Sequence, residues 1–346
     1  MLLKELTQLN GVSGDEGRVR DFILEHIKPY ADDITIDSMG SIIAYKKGRL
    51  HSGKTVLVCA HMDEVGFILS DITEKGFLKF KEVGGVDERI LLTQRVSVLS
   101  DKQPVPGVIG IKAVHLQSKA ERGNVVSADS MYIDIGAKDK KDAQKYVSKG
   151  DYIAFDSEYV EFGDGCIKAK ALDDRVGCAL MLELIKNTYD NDIYFCFNVQ
   201  EEVGLRGARV VAHRINADVA LVLESTTAAD VPYVDEHLHC TTQGEGPVVS
   251  VMDRASYADK YLGAFVRDIA ERSGIAYQLK KTINGGNDAG AIQTSTSAVR
   301  VCSISLPCRY IHSPVSTAKK CDIDAMHRLV DKVLENIHIF EVKERI

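Results

Sequence analysis

Two adjacent glutamates, Glu201 and Glu202, follow the apolar run 193–199, which has the length of a buried strand. Two carboxylates at the end of one strand repel each other, unless one of them holds a cation while the other handles protons. Other segments place possible metal ligands beside apolar runs in the same way. These residues are His61 and Asp63, Asp173 and Asp174, Glu224, and His312. Ligands of open α/β sheets bind beyond the carboxyl ends of the strands, so the set predicts a two-metal hydrolase site.

Each motif is weak evidence when it is taken alone. A histidine or a glutamate pair after a strand is often only hydrogen-bonded or solvated, and an aspartate before a helix is usually a helix cap. The order of the motifs, and the apolar run beside each of them, favour one shared site.

Five motifs, in this order along the chain, resemble those of the M42 family of metalloaminopeptidases. These are the tetrahedral aminopeptidases, some of which have also been labelled glutamyl aminopeptidase or endoglucanase. The motifs are 60–66 (AHMDEVG), 171–177 (ALDDRVG), 200–204 (QEEVG), 223–227 (LESTT) and 309–314 (RYIHSP). The resemblance covers essentially the whole chain, and it implies a metal-dependent enzyme that removes N-terminal residues from peptides.

The resemblance implies ligands for two divalent metal ions in each subunit. His61 and Glu224 would hold one ion, although many relatives carry aspartate at the position of Glu224. Glu202 and His312 would hold the other ion, and Asp173 would bridge the two. A set of histidines and carboxylates without thiolates suits Zn²⁺, Co²⁺ or Mn²⁺ and does not choose among them. Two such ions ~3.5–4 Å apart can share one water molecule, lower its pKa and polarise the scissile carbonyl.

The resemblance also implies residues that act beside the metal ligands. Glu201 would be the general base that takes a proton from the water and passes it to the leaving amine. Asp63 would orient His61, since a ligating imidazole usually donates its second N–H to a carboxylate or carbonyl group. The peptide bond between Asp173 and Asp174 would be cis.

The pattern of elements predicts an α/β fold with an inserted β-rich part. Strand and helix patterns alternate near the N-terminus and in the C-terminal half, whereas short β-like runs separated by glycine, proline and charged turns lie between them. We predict a discontinuous catalytic domain, residues 1–66 and 160–346, and an inserted small β-barrel domain, residues 67–159. An insertion whose ends lie close together lets Asp63 and Asp173 share a site. The resemblance implies a mixed sheet of the zinc-exopeptidase type with helices on both faces.

Local sequence patterns predict two helix caps and several further helices and strands. Ser13 and Glu16 have the spacing of a capping box before a helix. Asp173 and Asp174 would cap a helix at 176–185. Further predicted elements are a strand at 231–235 and helices at 257–273 and 323–337.

The composition limits the location and the partners of the protein. A net charge of −7 and a pI near 5.8 argue against nucleic-acid binding, and no stretch approaches the ~20 apolar residues that span a bilayer. The N-terminus lacks the apolar core of a signal peptide. The chain has 8 cysteines but no CxxC pair, which suits free thiols in a reducing compartment. We therefore predict a cytoplasmic protein without a nucleic-acid or membrane partner.

The β insertion carries none of the candidate ligands, so we expect it to act in assembly rather than in chemistry. Apolar surface for this purpose would come from Val105, Val108, Ile109 and Ile111. The resemblance implies a homo-oligomer in which this domain forms dimers and the dimers close into a tetrahedral dodecamer that admits peptides. The alternative is a lid that faces solvent.

Two other function classes remain open. A co-catalytic metallo-carboxypeptidase or an N-acyl deacylase would keep the metal ions and change the substrate. A carbohydrate-binding or scaffold protein would keep only the fold, although every candidate site residue is present. The lack of tryptophan and the aromatic content of 7% argue against a glycosidase, which usually stacks sugars on aromatic rings.

The sequence favours a neutral, aliphatic side chain at the N-terminus of the substrate. The sequence places no basic residue at the first substrate pocket, which argues against an acidic N-terminal residue. Arg309 is the one basic residue that could reach this pocket and change the preference. The glycine-rich turn 284–290 either lines the substrate cleft, as the resemblance implies, or is a plain tight turn.

Overall fold

The computed structural model describes residues 1–50, 54–295 and 298–341, and residues 342–346 of the predicted catalytic domain lie outside these ranges. The strands are, in chain order, β1 (Asp33–Ile36), β2 (Ile42–Lys46), β3 (Thr55–His61), β4 (Gly66–Ile72), β5 (Leu78–Val83), β6 (Arg95–Leu99), β7 (Pro104–Gly110), β8 (Tyr132–Asp134), β9 (Tyr152–Phe155), β10 (Val160–Phe162), β11 (Cys166–Ala169), β12 (Asp192–Asn198), β13 (Val219–Thr227), β14 (Val248–Val249), β15 (Gln278–Leu279), β16 (Arg300–Cys308) and β17 (Ser316–Lys319). The α-helices are α1 (Leu3–Gln8), α2 (Gly17–Ile27), α3 (Lys119–Arg122), α4 (Lys140–Ala143), α5 (Leu172–Leu184), α6 (Arg206–Arg214), α7 (Lys260–Arg272), α8 (Asp288–Gln293) and α9 (Lys320–Asn336).

Eight strands form a mixed central sheet in the order β1-β2-β12-β3-β13-β16-β14-β15. The middle strands β12, β3, β13 and β16 run parallel to one another, and an antiparallel strand joins them on either side. Every residue of β3 after Thr55 is buried, as expected for a strand that helices cover on both faces. The predicted mixed sheet is therefore confirmed.

Helices cover both faces of this sheet, as predicted. Val56 and Val58 of β3 belong to an apolar core with residues of α1, α2, α5, α7 and α9. Leu57 and Cys59 belong to a separate core with residues of α6 and α8. Because side chains alternate along a strand, β3 divides the domain into two apolar layers. No helix in the described ranges is long and apolar enough to cross a membrane.

Strands β4 to β9 close into a small barrel in the order β4-β5-β8-β7-β6-β9. The pairing of β4 with β9 closes the barrel. Phe67 lies edge-on to Phe80 and Phe155 in the barrel core, with ring centroids 5.0 and 5.3 Å away. The predicted inserted barrel is thereby confirmed, while its limits at 67–159 and its role in assembly stay predictions.

The capping box predicted from Ser13 and Glu16 was wrong. The helix begins only at Gly17, and no side chain in the described ranges caps it; the Ser13 hydroxyl donates to the carboxylate of Asp63 instead of accepting a backbone N–H of the helix. A hydrogen bond to an ionised carboxylate is stronger than one between a serine hydroxyl and a backbone N–H group. The distant Asp63 therefore orients the Ser13 side chain, and the local pattern does not.

The strand predicted at 231–235 is absent, and turns occupy this segment. Pro232 removes a backbone donor, and Tyr233 has a positive φ of 69°, neither of which suits a strand. Helix α7 begins at Lys260 rather than at 257, because the Asp259 side chain caps it by accepting two backbone N–H groups of its first turn.

Candidate metal centre

The parallel strands bring most of the predicted site residues to one rim of the central sheet. β3 ends at His61, and β12 ends at Asn198, which lies opposite His61 in the parallel register. Glu201 and Glu202 follow in the loop after β12. Glu224 lies inside β13, which continues past it to Thr227.

Two short strands bring Asp173 and His312 to the same rim. β11 and β17 pair in antiparallel register, with Ala169 opposite Ser316. Asp173 follows β11 within a few residues, and His312 precedes β17 by a similar distance. The pairing therefore holds these two side chains close together.

Asp173 lies between two imidazoles, with one carboxylate oxygen near each of them. Its Oδ1 is 3.5 Å from His61 Nε2, and its Oδ2 is 3.4 Å from His312 Nε2. Glu224 Oε2 is 3.7 Å from His61 Nε2, and Glu202 Oε1 is 3.3 Å from His312 Nε2. Each imidazole thus faces two carboxylates, and the structure brings all the predicted ligands together.

Among the residues that the structure describes, two groups of side chains have ligand atoms within 4.8 Å of one another, close enough to hold a metal ion. The groups are His61, Asp173 and Glu202, and His61, Asp174 and Glu224. Asp174 is not in the predicted ligand set, and both of its oxygens are engaged. Oδ2 accepts the backbone N–H of His61 at 3.3 Å. Asp173 and Asp174 have non-helical backbone angles, so the regular part of α5 begins after them, and Oδ1 of Asp174 caps that part by accepting the N–H of Gly177 at 3.0 Å. The predicted cap is therefore confirmed for Asp174.

The ligand oxygens fit a cation-binding role. Asp173 Oδ1 and Glu224 Oε1 are buried and accept no hydrogen bond from the described part of the chain. Burying such oxygens is costly unless a cation or a hydrogen-bond donor compensates for the lost water. The peptide bond between Asp173 and Asp174 is cis, as the resemblance implied.

Burial shifts the protonation of the acidic cluster. It raises the pKa of Glu202 to about 7 against the attraction of His312, and the charge of Asp173 adds to the rise. Burial also raises the pKa of Glu201 and that of Glu224 well above the usual range of glutamate. Burial would lower the pKa of His312, but the nearby carboxylates raise it to about 9. So many carboxylates in a small buried volume favour binding of cations.

Asp63 connects one imidazole with the backbone of both glutamates. His61 Nδ1 lies 3.4 Å from Asp63 Oδ1 and 3.1 Å from the carbonyl oxygen of Asp63. Oδ1 also accepts the N–H of Glu201 at 3.0 Å. Oδ2 accepts the N–H of Glu202 at 3.1 Å and the hydroxyl of Ser13 at 2.6 Å. Burial would raise the pKa of Asp63, but these partners lower it, so the side chain stays a carboxylate.

The N-terminal loop supports the same segment from a second point. Glu16 accepts the backbone N–H groups of Gly14 at 2.7 Å and of Gln200 at 3.2 Å. Gln200 has a positive φ of 57°, a conformation that residues other than glycine adopt only when their surroundings fix it. The carboxylate of Glu16 therefore helps to hold the turn that presents the glutamate pair.

A cavity of about 640 Å³ opens beside the acidic cluster. Residues 284–287 of the glycine-rich turn line it, and α8 begins directly after them. Arg309 does not line this cavity, because its guanidinium donates to Asp230 at 2.8 and 2.6 Å. A basic residue that lines the cavity, Lys280, was missed by sequence reasoning.

Comparison with known proteins identifies the family. A family model described as M42 glutamyl aminopeptidase matches residues 40–329. The chain belongs to the M42 peptidase family. Lysyl aminopeptidase of Pyrococcus furiosus is 31% identical over 342 residues, which cover 97% of this chain and 96% of that protein. Membership of the M42 family makes the chain a hydrolase of the aminopeptidase class.

Solved structures agree with the M42 assignment. An aminopeptidase from the archaeon Desulfurococcus kamchatkensis is similar with a TM-score of 0.93 and 38% identity, covering 96% of this chain and 93% of that one. The TET1 peptidase of Pyrococcus horikoshii, which can assemble into a tetrahedron or a large octahedral shell, has a TM-score of 0.86. It is 32% identical, with 96% of this chain and 98% of that one covered.

The M42 match includes every candidate ligand but not the N-terminal loop. Ser13 and Glu16 lie before residue 40, where the match begins, although both contact the site. Sequence reasoning assigned these two residues to a helix cap, and no local signal links them to the centre. Their role becomes visible only through their long-range hydrogen bonds.

Proposed function

We propose that this chain is a two-metal aminopeptidase that cleaves the first peptide bond of peptides with a free N-terminus. His61 and Glu224 would hold one divalent ion, and Glu202 and His312 would hold the other. Asp173 would contact both ions. The position of Asp173 between two imidazoles, 3.5 and 3.4 Å from their Nε2 atoms, is the main support for this arrangement. The donor set suits Zn²⁺, Co²⁺ or Mn²⁺.

The adjacent glutamates would have different roles. When bound, the two ions would activate a water molecule and polarise the scissile carbonyl. Glu201 would take a proton at its carboxylate and deliver it to the leaving amine, as a general base that becomes a general acid. Its side chain is only 8% exposed and lines the cavity, and it forms no ion pair with His61 or His312 in the described structure. It is therefore available for proton transfer while Glu202 serves as a ligand.

The substrate class separates this proposal from its nearest alternative. A metallo-carboxypeptidase or an N-acyl deacylase would use the same ions but would accept peptides whose N-terminus is blocked. A free α-amine can itself ligate a metal ion, which would explain how the site registers the N-terminus.

We expect the metal-loaded protein to hydrolyse unblocked peptides and to leave their N-acetylated forms intact. Acetylation removes the basic amine, so the substrate loses its link to the metal centre. The experiment loads the protein with Zn²⁺, Co²⁺ or Mn²⁺ in turn. It then measures release of the first residue from each unblocked peptide and from its N-acetylated form. The chelator-treated protein serves as the control and should be inactive on both. Equal hydrolysis of the two forms would contradict the exopeptidase assignment.

We also propose that the chain forms a homo-oligomer through its barrel, residues 67–159. The similar TET1 peptidase assembles into closed shells, and the barrel carries none of the proposed ligands. Of the apolar residues named for this surface, Val108 is 47% exposed, whereas Ile109 is buried in the barrel core. Val105 and Ile111 are partly buried against that core, so Ile109 cannot contribute and the surface is smaller than the sequence predicts.

Light scattering of the metal-loaded protein is expected to show a dimer that grows into a dodecamer. A closed shell would restrict access to unfolded peptides, which a single open active site does not do. A particle that remains at the chain mass of 38.1 kDa at all concentrations would contradict assembly. A stable dimer that never grows would contradict only the tetrahedral shell.

A reducing compartment such as the cytoplasm fits the state of the cysteines. All the cysteines are free thiols in this structure, and most of them are buried. Free thiols persist in compartments where the cell keeps cysteines reduced. We therefore propose a cytoplasmic location.

A further inference from the structure

A buried ion pair joins the two places where the chain enters and leaves the inserted barrel. Glu64 lies between Asp63 and the first barrel strand, β4, and Lys170 lies between β11 and Asp173. The two residues are 106 positions apart in the chain, yet Lys170 Nζ is 2.7 and 2.9 Å from the two carboxylate oxygens of Glu64. The pair therefore connects the ends of the insertion beside the proposed ligands.

Both members of this pair are almost completely buried, with Glu64 3% and Lys170 2% exposed. Lys170 Nζ also donates to the carbonyl oxygen of Leu9 at 3.0 Å, so all three donors of the ammonium group have acceptors. Glu64 Oε1 accepts the backbone N–H of Gly11 at 3.0 Å as well. Apolar side chains of similar volume often stabilise a fold as well as a buried ion pair does, so stability alone does not explain these charges.

Arg175 adds a second buried cation to the pair. Its Nε donates to the carbonyl oxygen of Met62, the neighbour of His61, at 2.7 Å, and its Nη2 lies 3.4 Å from Glu64 Oε1. Arg175 follows Asp173 by two positions, and the lysine of the pair precedes Asp173 by three. The charged cluster thus holds the chain on both sides of Asp173 against the segment that presents His61.

The turn between Lys170 and Asp173 depends on its surroundings. Ala171 has a positive φ of 52°, which is unfavourable for a residue with a Cβ atom and persists only where the surrounding structure fixes it. The ion pair fixes the start of this turn, because Lys170 directly precedes Ala171. The turn ends at Asp173, whose oxygens lie 3.5 and 3.4 Å from the imidazoles of His61 and His312.

A small cavity of about 10 Å³, with room for about one water molecule, lies between the ion pair and the ligands. Glu64 and Lys170 line it together with Asp173, Glu202 and His312. The described wall of the larger cavity, of about 640 Å³, contains neither member of the pair. The pair therefore lies next to the metal ligands and away from the space that a peptide would occupy.

We propose that Lys170 is a positioning residue of the metal centre, which through Glu64 locks the turn of Asp173 against the segment of His61. The ligands would then keep their spacing before an ion binds, so that binding does not have to order them. A site that is ordered in advance binds more tightly than one that must be ordered on binding. This inference rests on the proposed function, from which it takes the metal ligands.

The variant Lys170→Met separates positioning from charge. Loss of a nearby positive charge would by itself strengthen the binding of a cation. Loss of positioning would weaken it, and we expect the affinity for Zn²⁺ to fall by about 10- to 100-fold, as for other groups that orient metal ligands. Titration calorimetry measures the affinity, and the absorption spectrum of the Co²⁺-loaded protein should show a changed coordination. At saturating metal, kcat should fall while KM stays close to the wild-type value, because Lys170 lies outside the described wall of the peptide cavity.

The double variant Glu64→Gln with Lys170→Met decides the question if the single variant folds poorly. It leaves no unpaired buried carboxylate at this position, so the metal-free protein should regain unfolding free energy in urea relative to Lys170→Met. Its net charge equals that of the wild type, so it tests the affinity without a change in charge. We expect the affinity for Zn²⁺ to stay at least about 10-fold below the wild type, because the ends of the insertion are still not joined.

Arg300→Met is the matched control. Arg300 forms an ion pair with the buried Asp259 at 2.6 Å, at the start of β16, whereas the ligands lie near the other end of the parallel strands. This variant should lose unfolding free energy and bind metal like the wild type.

The outcomes separate the inference from the proposed function. A wild-type chain that binds no divalent ion would overturn both. If the wild type binds its ions and both Lys170 variants bind them equally well or more tightly, the positioning role is overturned and the aminopeptidase proposal stands. Recovery of metal affinity together with unfolding free energy in the double variant would also overturn it, because the pair would then serve only stability. An equal loss of affinity in Arg300→Met would have the same meaning.

Discussion

Replacing Glu201 by glutamine is expected to lower kcat by about 10²–10⁴-fold while the metal content stays at the wild-type level. Glutamine has the size of glutamate but cannot take up a proton at neutral pH. The backbone N–H of Glu201, which donates to Asp63, is unchanged by the substitution. The loss should therefore fall on proton transfer and leave the metal ligands in place.

The adjacent residue provides the matched control for this substitution. Glu202 Oε1 lies 3.3 Å from His312 Nε2, so Glu202→Gln should weaken binding of one ion. Metal content per chain after dialysis and kcat at saturating metal should then separate the two variants. Near-normal turnover of Glu201→Gln would show that another group moves the proton. Equal loss of metal from both variants would make Glu201 a ligand.

Much of the site was predictable because its residues follow strands with a clear apolar pattern. His61 ends β3, Glu201 follows β12, and the parallel register places the ends of these strands side by side. The closeness of Asp173 and His312 depends on a different feature. It comes from the pairing of β11 with β17, two strands of only four residues, whose pattern was too short to predict their pairing.

Other parts of the site could not be predicted, because long-range contacts or irregular segments determine them. Ser13 and Glu16 match a capping box in spacing, yet Asp63 and Gln200 are their actual partners. Local spacing carries no information on such partners. Lys280 lies after β15 in a segment without helix or strand, so periodicity does not show which way its side chain points.

The sequence predicted that the insertion is a barrel, but it did not predict which apolar side chains lie on the barrel surface. Short strand patterns separated by turn residues indicated a closed β structure, which the structure has. The same alternation decides which apolar side chains point inward, but a shift of one residue exchanges the two faces. Ile109 shows this, because it was expected on the surface and is buried in the core.

We expect Asp63→Asn to weaken metal binding by about 10- to 100-fold and to lower kcat even when metal is saturating. The Asp63 carboxylate accepts the Ser13 hydroxyl and the N–H groups of Glu201 and Glu202. An amide in this buried position turns an NH₂ group towards at least one of these donors, so that contact becomes repulsive. The backbone that presents both glutamates must then move. A displacement of ~1 Å at a catalytic group costs about 10²-fold in rate.

Ser13→Ala is the graded control for this prediction. It removes the 2.6 Å hydrogen bond to Asp63 Oδ2 but places no opposing donor there, so the two backbone N–H groups keep their acceptor. We expect a smaller loss of metal affinity, and kcat should recover fully at saturating metal. Titration calorimetry with Zn²⁺, kcat at increasing metal and urea unfolding of the metal-free proteins measure the three effects separately. If Asp63→Asn recovers wild-type kcat at saturating metal, Asp63 serves only the His61 ligand and does not position Glu201. If both variants lose only unfolding free energy and bind metal normally, the N-terminal loop stabilises the fold without tuning the metal centre.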